Sequence, residues 1–127
     1  MPDHAHMLIY PTQFPYDIAR IRRAIKAPVG RKAITYLKTN APEWLSKITR
    51  RRGRKTERQL WQSGGGYDRN VVEKGTLLST IDCIHANPVR KRLVERPRDW
   101  KWSSAAWYDD MTEVPLRVDP IPLDWLE

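Results

Sequence analysis

The spacing of apolar residues predicts one strand and two helices in the first third of the chain. Residues 4–10 place the polar histidines ahead of the apolar run Met7-Leu8-Ile9, and Pro11 follows, which predicts a strand. Isoleucines then recur at helical spacing over residues 16–26, and Pro28 and Gly30 predict the end of that helix. A second helix is expected over residues 31–39.

The regular spacing of apolar residues does not continue into the middle of the chain. Residues 41–45 (Ala-Pro-Glu-Trp-Leu) are expected to begin a short helical turn, and the basic run 50–58 to form a loop or exposed arm. Residues 59–62 predict a second strand. The glycine triplet 64–66 lacks the lysine and Ser/Thr of a phosphate-binding P-loop, so a flexible turn is the favoured interpretation.

Residues 76–86 form the most clearly helical segment. Leu77, Ile81 and Ile84 share one face, Thr76 is a candidate N-cap, and Pro88 predicts that the helix ends near residue 87. The pattern as a whole indicates an α+β fold, with one domain over residues 1–108 and an acidic, proline-containing extended tail over 109–127.

The distribution of charge along the chain indicates the kind of partner that the protein binds. The net charge is +8, and residues 20–58 hold fourteen Lys/Arg against Glu43 and Glu57. A concentrated positive field favours a polyanion, and an arginine-rich run favours nucleic acid over a merely solvated surface. The cations expected to contact DNA are Arg22, Arg23, Lys26, Arg31, Lys32, Arg50, Arg51, Arg52, Arg54 and Lys55. Tryptophans such as Trp61 could stack on bases, although packing is the favoured role.

Composition also indicates the cellular location expected for the protein. The single cysteine, Cys83, excludes an internal disulfide and favours a reducing, cytoplasmic location. No apolar run approaches the length of about 20 residues needed to span a bilayer, so no membrane partner is expected.

Two groups of polar residues are candidates for chemistry. His4 and His6 are two apart, so on a strand they would project to one face, where neutral imidazoles can bind a divalent metal; exposed surface histidines are the alternative. Ser79, Cys83 and Asn87 are spaced four apart and share the helix face roughly opposite the apolar one. A third metal ligand could come from that face.

Four segments in order resemble the REP-associated tyrosine transposases, a branch of the single-tyrosine HUH transposases. They are the opening Met-Pro-Asp-His-Ala-His-Met-Leu-Ile, the stretch from Trp61-Gln62 to Tyr67-Asp68, the block 81–94 around Asn87-Pro88, and the Trp-Ser-Ser-Ala element at 102–105. The resemblance covers most of the chain. It implies a ferredoxin-like domain, an antiparallel sheet with helices packed on one face.

The resemblance also implies metal-dependent cleavage and strand transfer of single-stranded or hairpin DNA. His4, His6 and Asn87 match the residues that hold Mg²⁺ or Mn²⁺, and the wider family includes domain-swapped dimers, so a homodimer is compatible with it. The nucleophilic tyrosine of the family falls at Cys83, whose thiol is shorter by a whole ring. We therefore expect tyrosyl transfer to be lost or impaired; Tyr67 is a poor substitute because it precedes the helix.

A further departure concerns the amino terminus. The family carries a strand and a helix before the histidine strand, and the sequence begins at that strand. The resemblance thus predicts either a start site farther upstream or a remnant of a decaying gene. Two competing functions stay open: a non-catalytic DNA- or RNA-binding module, and a metal-dependent nuclease that uses water in place of tyrosine.

Overall fold

Four α-helices and one two-stranded antiparallel sheet form the regular structure of residues 1–111 and 113–126, the part of the chain described by this computed structural model. The α+β class is thereby confirmed. The helices α1 to α4 are Ile18–Asn40, Leu45–Ile48, Lys74–Arg90 and Ala105–Tyr108, and the strands β1 and β2 are Thr49–Arg52 and Lys55–Arg58. Short 3-10 turns occupy Pro42–Trp44, Pro97–Asp99 and Leu123–Trp125.

The chain divides into two compact units. The first contains Met1–Tyr10 and Arg69–Glu127, and the second contains Pro11–Asp68. Helices α3 and α4 therefore belong to the first unit, and α1, α2 and the sheet belong to the second.

Helix α1 is continuous over 23 residues, so the predicted break at Pro28 and Gly30 is wrong. Proline removes one backbone hydrogen bond from a helix interior, which is a local cost that other contacts can offset. Asp17 caps the helix by accepting two backbone N–H groups of the first turn, at 2.8 and 3.2 Å. One turn before Gly30, the indole N–H of Trp61 donates to the Lys26 carbonyl at 2.9 Å and ties the middle of the helix to the rest of its unit.

The predicted short helical turn is confirmed as Pro42–Trp44 followed by α2. The basic run after it forms a hairpin and not a loop, and residues 59–62 form no strand, so both of those predictions are wrong. In the hairpin, Arg52 of β1 pairs with Lys55 of β2, which leaves a loop of two residues, 53 and 54. Gly53 has φ +59° at the first loop position, where a type II′ turn favours glycine. Apolar periodicity missed this hairpin because its strands are almost wholly exposed on both faces.

Helix α3 extends beyond the predicted segment 76–86 at both ends. Glu73 and not Thr76 stands at the N-cap, and Pro88 lies inside the last turn. Proline lacks an N–H group and so removes one hydrogen bond there, and its buried ring adds apolar contact in return. The helix ends at Arg90, and Arg92, two residues later, has φ +55°.

In the first unit, helices α3 and α4 both lie against the turn Pro97–Asp99. Ile81 from α3 and Ala105 and Ala106 from α4 are buried, at 4–8% exposure, and Pro88 of α3 is also buried. The predicted apolar face of α3 is confirmed, since Leu77 and Ile84 are half-buried beside Ile81. His85 Nε2 and the Ser104 hydroxyl, 2.9 Å apart, add a polar link between α3 and the Trp-Ser-Ser-Ala segment.

Residues 4–10 form no strand, so that prediction is wrong. A strand is stable only when its backbone pairs with a neighbour, and no described segment supplies that pairing. Met7, Leu8, Ile9 and Tyr10 are consequently 41–59% exposed. The ring of Tyr10 packs edge to face against Trp125, with centroids 4.6 Å apart. Across residues 1–111 and 113–126, every helix is too short or too polar to cross a bilayer.

Candidate nucleic-acid interface and metal-binding residues

Helix α1 carries seven Lys/Arg and no acidic residue between its ends. Arg20, Arg31 and Lys38 fall nearly in line along it, because 11 and 18 residues correspond to about three and five turns. All three are exposed. One side of the helix is thus a row of cations that spans most of its length.

The hairpin adds a second group of cations, and its register sorts them onto two faces. Arg50, Arg52, Lys55 and Glu57 alternate onto one face, while Arg51 and Arg58 lie on the other with Thr49 and Thr56. Arg52 stands directly opposite Lys55, and like charges at such a position destabilise a hairpin. An anion bound at this face would relieve that repulsion.

Few of these cations have carboxylate partners. Among residues 1–111 and 113–126, only Arg22 of the fourteen Lys/Arg in residues 20–58 makes an ion pair within 4 Å. Its partner is Asp68, 3.2 Å from Nη1. The guanidinium also lies over the glycine triplet, where a side chain on Gly65 would be 3.4 Å from Nη2.

The cations predicted to contact DNA therefore differ in whether their side chains are exposed to solvent or engaged within the protein. Arg22 is engaged within its own unit, and the ammonium of Lys26 lies 5.3 Å from the centre of the Trp61 ring. Arg23, Arg31 and Lys32 on α1 are exposed. So are Arg50, Arg51, Arg52, Arg54 and Lys55 in the hairpin. Eight of the ten predicted residues thus present their side chains to solvent.

The two histidines converge although their segment is not a strand. Their Nε2 atoms are 3.0 Å apart, with the ring planes at 88°. Two neighbouring ligands on an octahedral Mg²⁺ or Mn²⁺, with bonds of about 2.1 Å, are about 3 Å apart. The two rings are joined at this distance by a hydrogen bond between their Nε2 atoms, and the same spacing would suit two ligands of one ion once that proton is lost.

Asp3 contacts His4 at the ring nitrogen that does not face His6. Its Oδ1 lies 2.6 Å from His4 Nδ1, so the Nδ1–H group donates to the carboxylate and the ring is oriented by it. Carboxylates that orient a histidine in this way are typical of metal sites. The hydrogen bond with His4 holds the pKa of Asp3 below its usual value, and the nearby Lys91 ammonium acts in the same direction.

The pKa of His6 lies below its usual value. Partial burial lowers its pKa, and the neighbouring His4 and the chain amino group lower it further. A lower pKa favours the neutral ring, in which one nitrogen keeps a lone pair that can bind a cation.

The helix face that should supply a third ligand belongs to the same unit as the histidines. Cys83 is exposed on α3, and Asn87, one turn later, is half-buried. Within the described ranges, no group of three or more His, Cys, Asp or Glu side chains is arranged to hold a metal; the predicted set has two such residues and an amide.

Sequence reasoning missed Asp3 and Arg58, and for Trp61 it favoured packing over stacking on bases. The sequence analysis predicted no role for Asp3, although a carboxylate directly before a histidine can orient the imidazole ring. Arg58 and the Trp61 indole gain importance only once the hairpin brings them beside α1. No sequence period could have indicated that contact, since the strands have no apolar face.

Comparison of the chain with protein-family models, curated proteins and solved structures found no match.

Proposed function

We propose that this chain is a DNA-binding protein related to the REP-associated tyrosine transposases, acting on single-stranded or hairpin DNA. The observation that carries the proposal is the group of exposed cations on α1 and the hairpin that lack carboxylate partners in the described residues. Such charges repel one another in the free protein and gain partners on a phosphate backbone. A ferredoxin-like HUH arrangement of the complete domain is part of the same proposal.

The opening segment supports a metal-dependent role for the first unit. His4 and His6 would hold Mg²⁺ or Mn²⁺, with Asn87 as a further ligand and Asp3 orienting His4. A divalent cation bound beside a phosphodiester would withdraw negative charge from the phosphate oxygens. The proximity of the two imidazoles and the contact of Asp3 with His4 support this part of the proposal.

A non-catalytic nucleic-acid-binding module derived from a transposase is the second candidate, and Cys83 favours it. The thiol is exposed and stands where the related enzymes carry tyrosine. Its shorter side chain cannot reach a phosphate positioned for a phenolic oxygen. We therefore propose strand transfer that is impaired at the nucleophile, with DNA binding retained.

The test of DNA binding is its salt dependence. We expect the affinity for a fluorescent single strand, measured by anisotropy, to fall steeply with sodium chloride, by about 0.7 in logarithmic slope per phosphate contact. Changing Arg50, Arg52, Arg54 and Lys55 together to Gln should flatten that slope and weaken binding at low salt. These side chains are exposed, so folding should be unaffected.

The matched control removes four positive charges from the first unit. Changing the exposed Arg69, Arg90, Arg92 and Arg117 to Gln alters net charge equally and should leave the slope nearly unchanged. Equal losses in the two variants would show that total charge, and not this surface, drives binding. Absence of binding by the wild type at low salt would overturn the proposal.

A further inference from the structure

A groove of about 330 Å³ lies between α1 and the segment that follows β2, wholly within the unit Pro11–Asp68. Four cations line it: Arg23, Lys26 and Arg31 from the helix, and Arg58 from the end of the hairpin. No carboxylate contributes to its lining. The groove is thus a local concentration of positive charge in a concave surface, where the field is focused.

The cations are free to take an anion. In the described residues none of the four lies within 4 Å of a carboxylate. Arg23, Arg31 and Arg58 are exposed, whereas Lys26 is half-buried with its ammonium toward the Trp61 ring. Several guanidinium groups around one concavity suit a phosphate, which takes paired N–H donors from arginine.

The floor of the groove is apolar and partly aromatic. Ile34 and Leu60 line it beside Trp61, whose indole is fixed by its hydrogen bond to the Lys26 carbonyl. A fixed indole offers a base a surface at low entropic cost, because its orientation is already set. Phosphate-binding side chains at the rim and an aromatic floor form the combination that single-strand-binding grooves use.

We propose that this groove binds one unstacked nucleotide of a single strand, with its phosphate against the arginines and its base against Trp61. The proposal rests on the proposed function and deepens it, because it names the form of DNA that the second unit recognises. The volume suits one nucleotide, being near the lower end of the range for small-molecule sites. Paired bases in a duplex cannot present their faces to such a floor.

Photo-crosslinking of the full wild-type chain tests this placement directly. Single strands of thymidine that carry 5-iododeoxyuridine are bound at low salt and irradiated, and the adducts are located by mass spectrometry. We expect the principal adduct on Trp61. Cross-links confined to other residues, with DNA still bound, would overturn the groove while leaving the proposed function intact.

A binding comparison supplies the second readout. The wild type should prefer the thymidine strand over an equally long strand of abasic sites by about 5- to 150-fold, the range for stacking of one base. Arg31→Gln/Arg58→Gln should reduce both this preference and the Trp61 adduct. Arg90→Gln/Arg117→Gln, which removes the same charge from exposed positions of the first unit, should retain both.

The two failures are distinguishable. Equal affinity of the wild type for thymidine and abasic strands would show phosphate binding without a base site, and would overturn the groove only. Failure of both strands to bind at low salt would overturn the proposed function itself.

Discussion

At the scale of single residues, Cys83 separates the two candidate functions. Its side chain is exposed on α3, one turn before Asn87, so a larger residue can occupy the position without disturbing packing. The residues proposed to hold the metal are present, with the Nε2 atoms of His4 and His6 at 3.0 Å. What the proposed reaction lacks is a nucleophile of the right length.

Restoring that nucleophile should restore the covalent step. We expect the wild type to form no adduct with single-stranded DNA in Mn²⁺, and Cys83→Tyr to form one that denaturing gels detect. Cys83→Phe, which adds the ring without the hydroxyl, is the matched control and should form none. His4→Ala/His6→Ala in the Cys83→Tyr background should abolish the adduct and keep DNA affinity. A wild-type adduct that disappears in Cys83→Ser would show that the thiol itself reacts.

At the scale of elements, the sequence predicted apolar helices well and exposed elements poorly. The apolar face of α3 that carries Ile81 was predictable from the sequence, because a helix that buries one face has apolar residues at helical spacing. The break at Pro28 was wrong because a cap and a contact from Trp61, 35 residues away, offset one lost hydrogen bond. The hairpin was missed because its strands bury nothing, so turn chemistry at Gly53 was its only local signal.

The link between α3 and the Trp-Ser-Ser-Ala segment makes the fold sensitive to acid. Burial lowers the pKa of His85, and the charges of Asp82 and Asp109 offset this only in part. Below the usual histidine value of about 6.5, the unfolded chain takes up a proton that the folded chain resists, so stability is lost as pH falls. We expect the melting temperature to drop between about pH 7.5 and 5.5, and to drop less in His85→Gln.

Ser104→Ala provides the control for that measurement. It removes the partner of His85 Nε2 but leaves the imidazole to titrate, so the protein should be less stable at every pH with a similar pH slope. His6, whose pKa is also lowered, accounts for the dependence that remains in His85→Gln. A slope unchanged by His85→Gln would contradict the assignment.

At the scale of the whole molecule, the sequence predicted where positive charge is concentrated but not how it is displayed. The count of fourteen cations in residues 20–58 needed no structure. Their separation into a row on α1, two hairpin faces and a groove depends on contacts between distant segments, such as Trp61 with Lys26. Likewise the histidine pair was predictable, whereas its convergence without a strand was not.

This unbalanced charge should also govern the stability of the free protein. Because only Arg22 among those cations has a carboxylate partner in the described residues, mutual repulsion opposes folding, and salt should screen it over about 10 Å at 0.1 M. We expect the melting temperature to rise with sodium chloride from about 20 to 200 mM, and to rise less in the hairpin variant with four Gln. Single-stranded DNA should raise it at low salt by binding the folded state. A melting temperature that falls with salt would mean that attraction between opposite charges dominates, and the exposed cations would then need no polyanion to balance them.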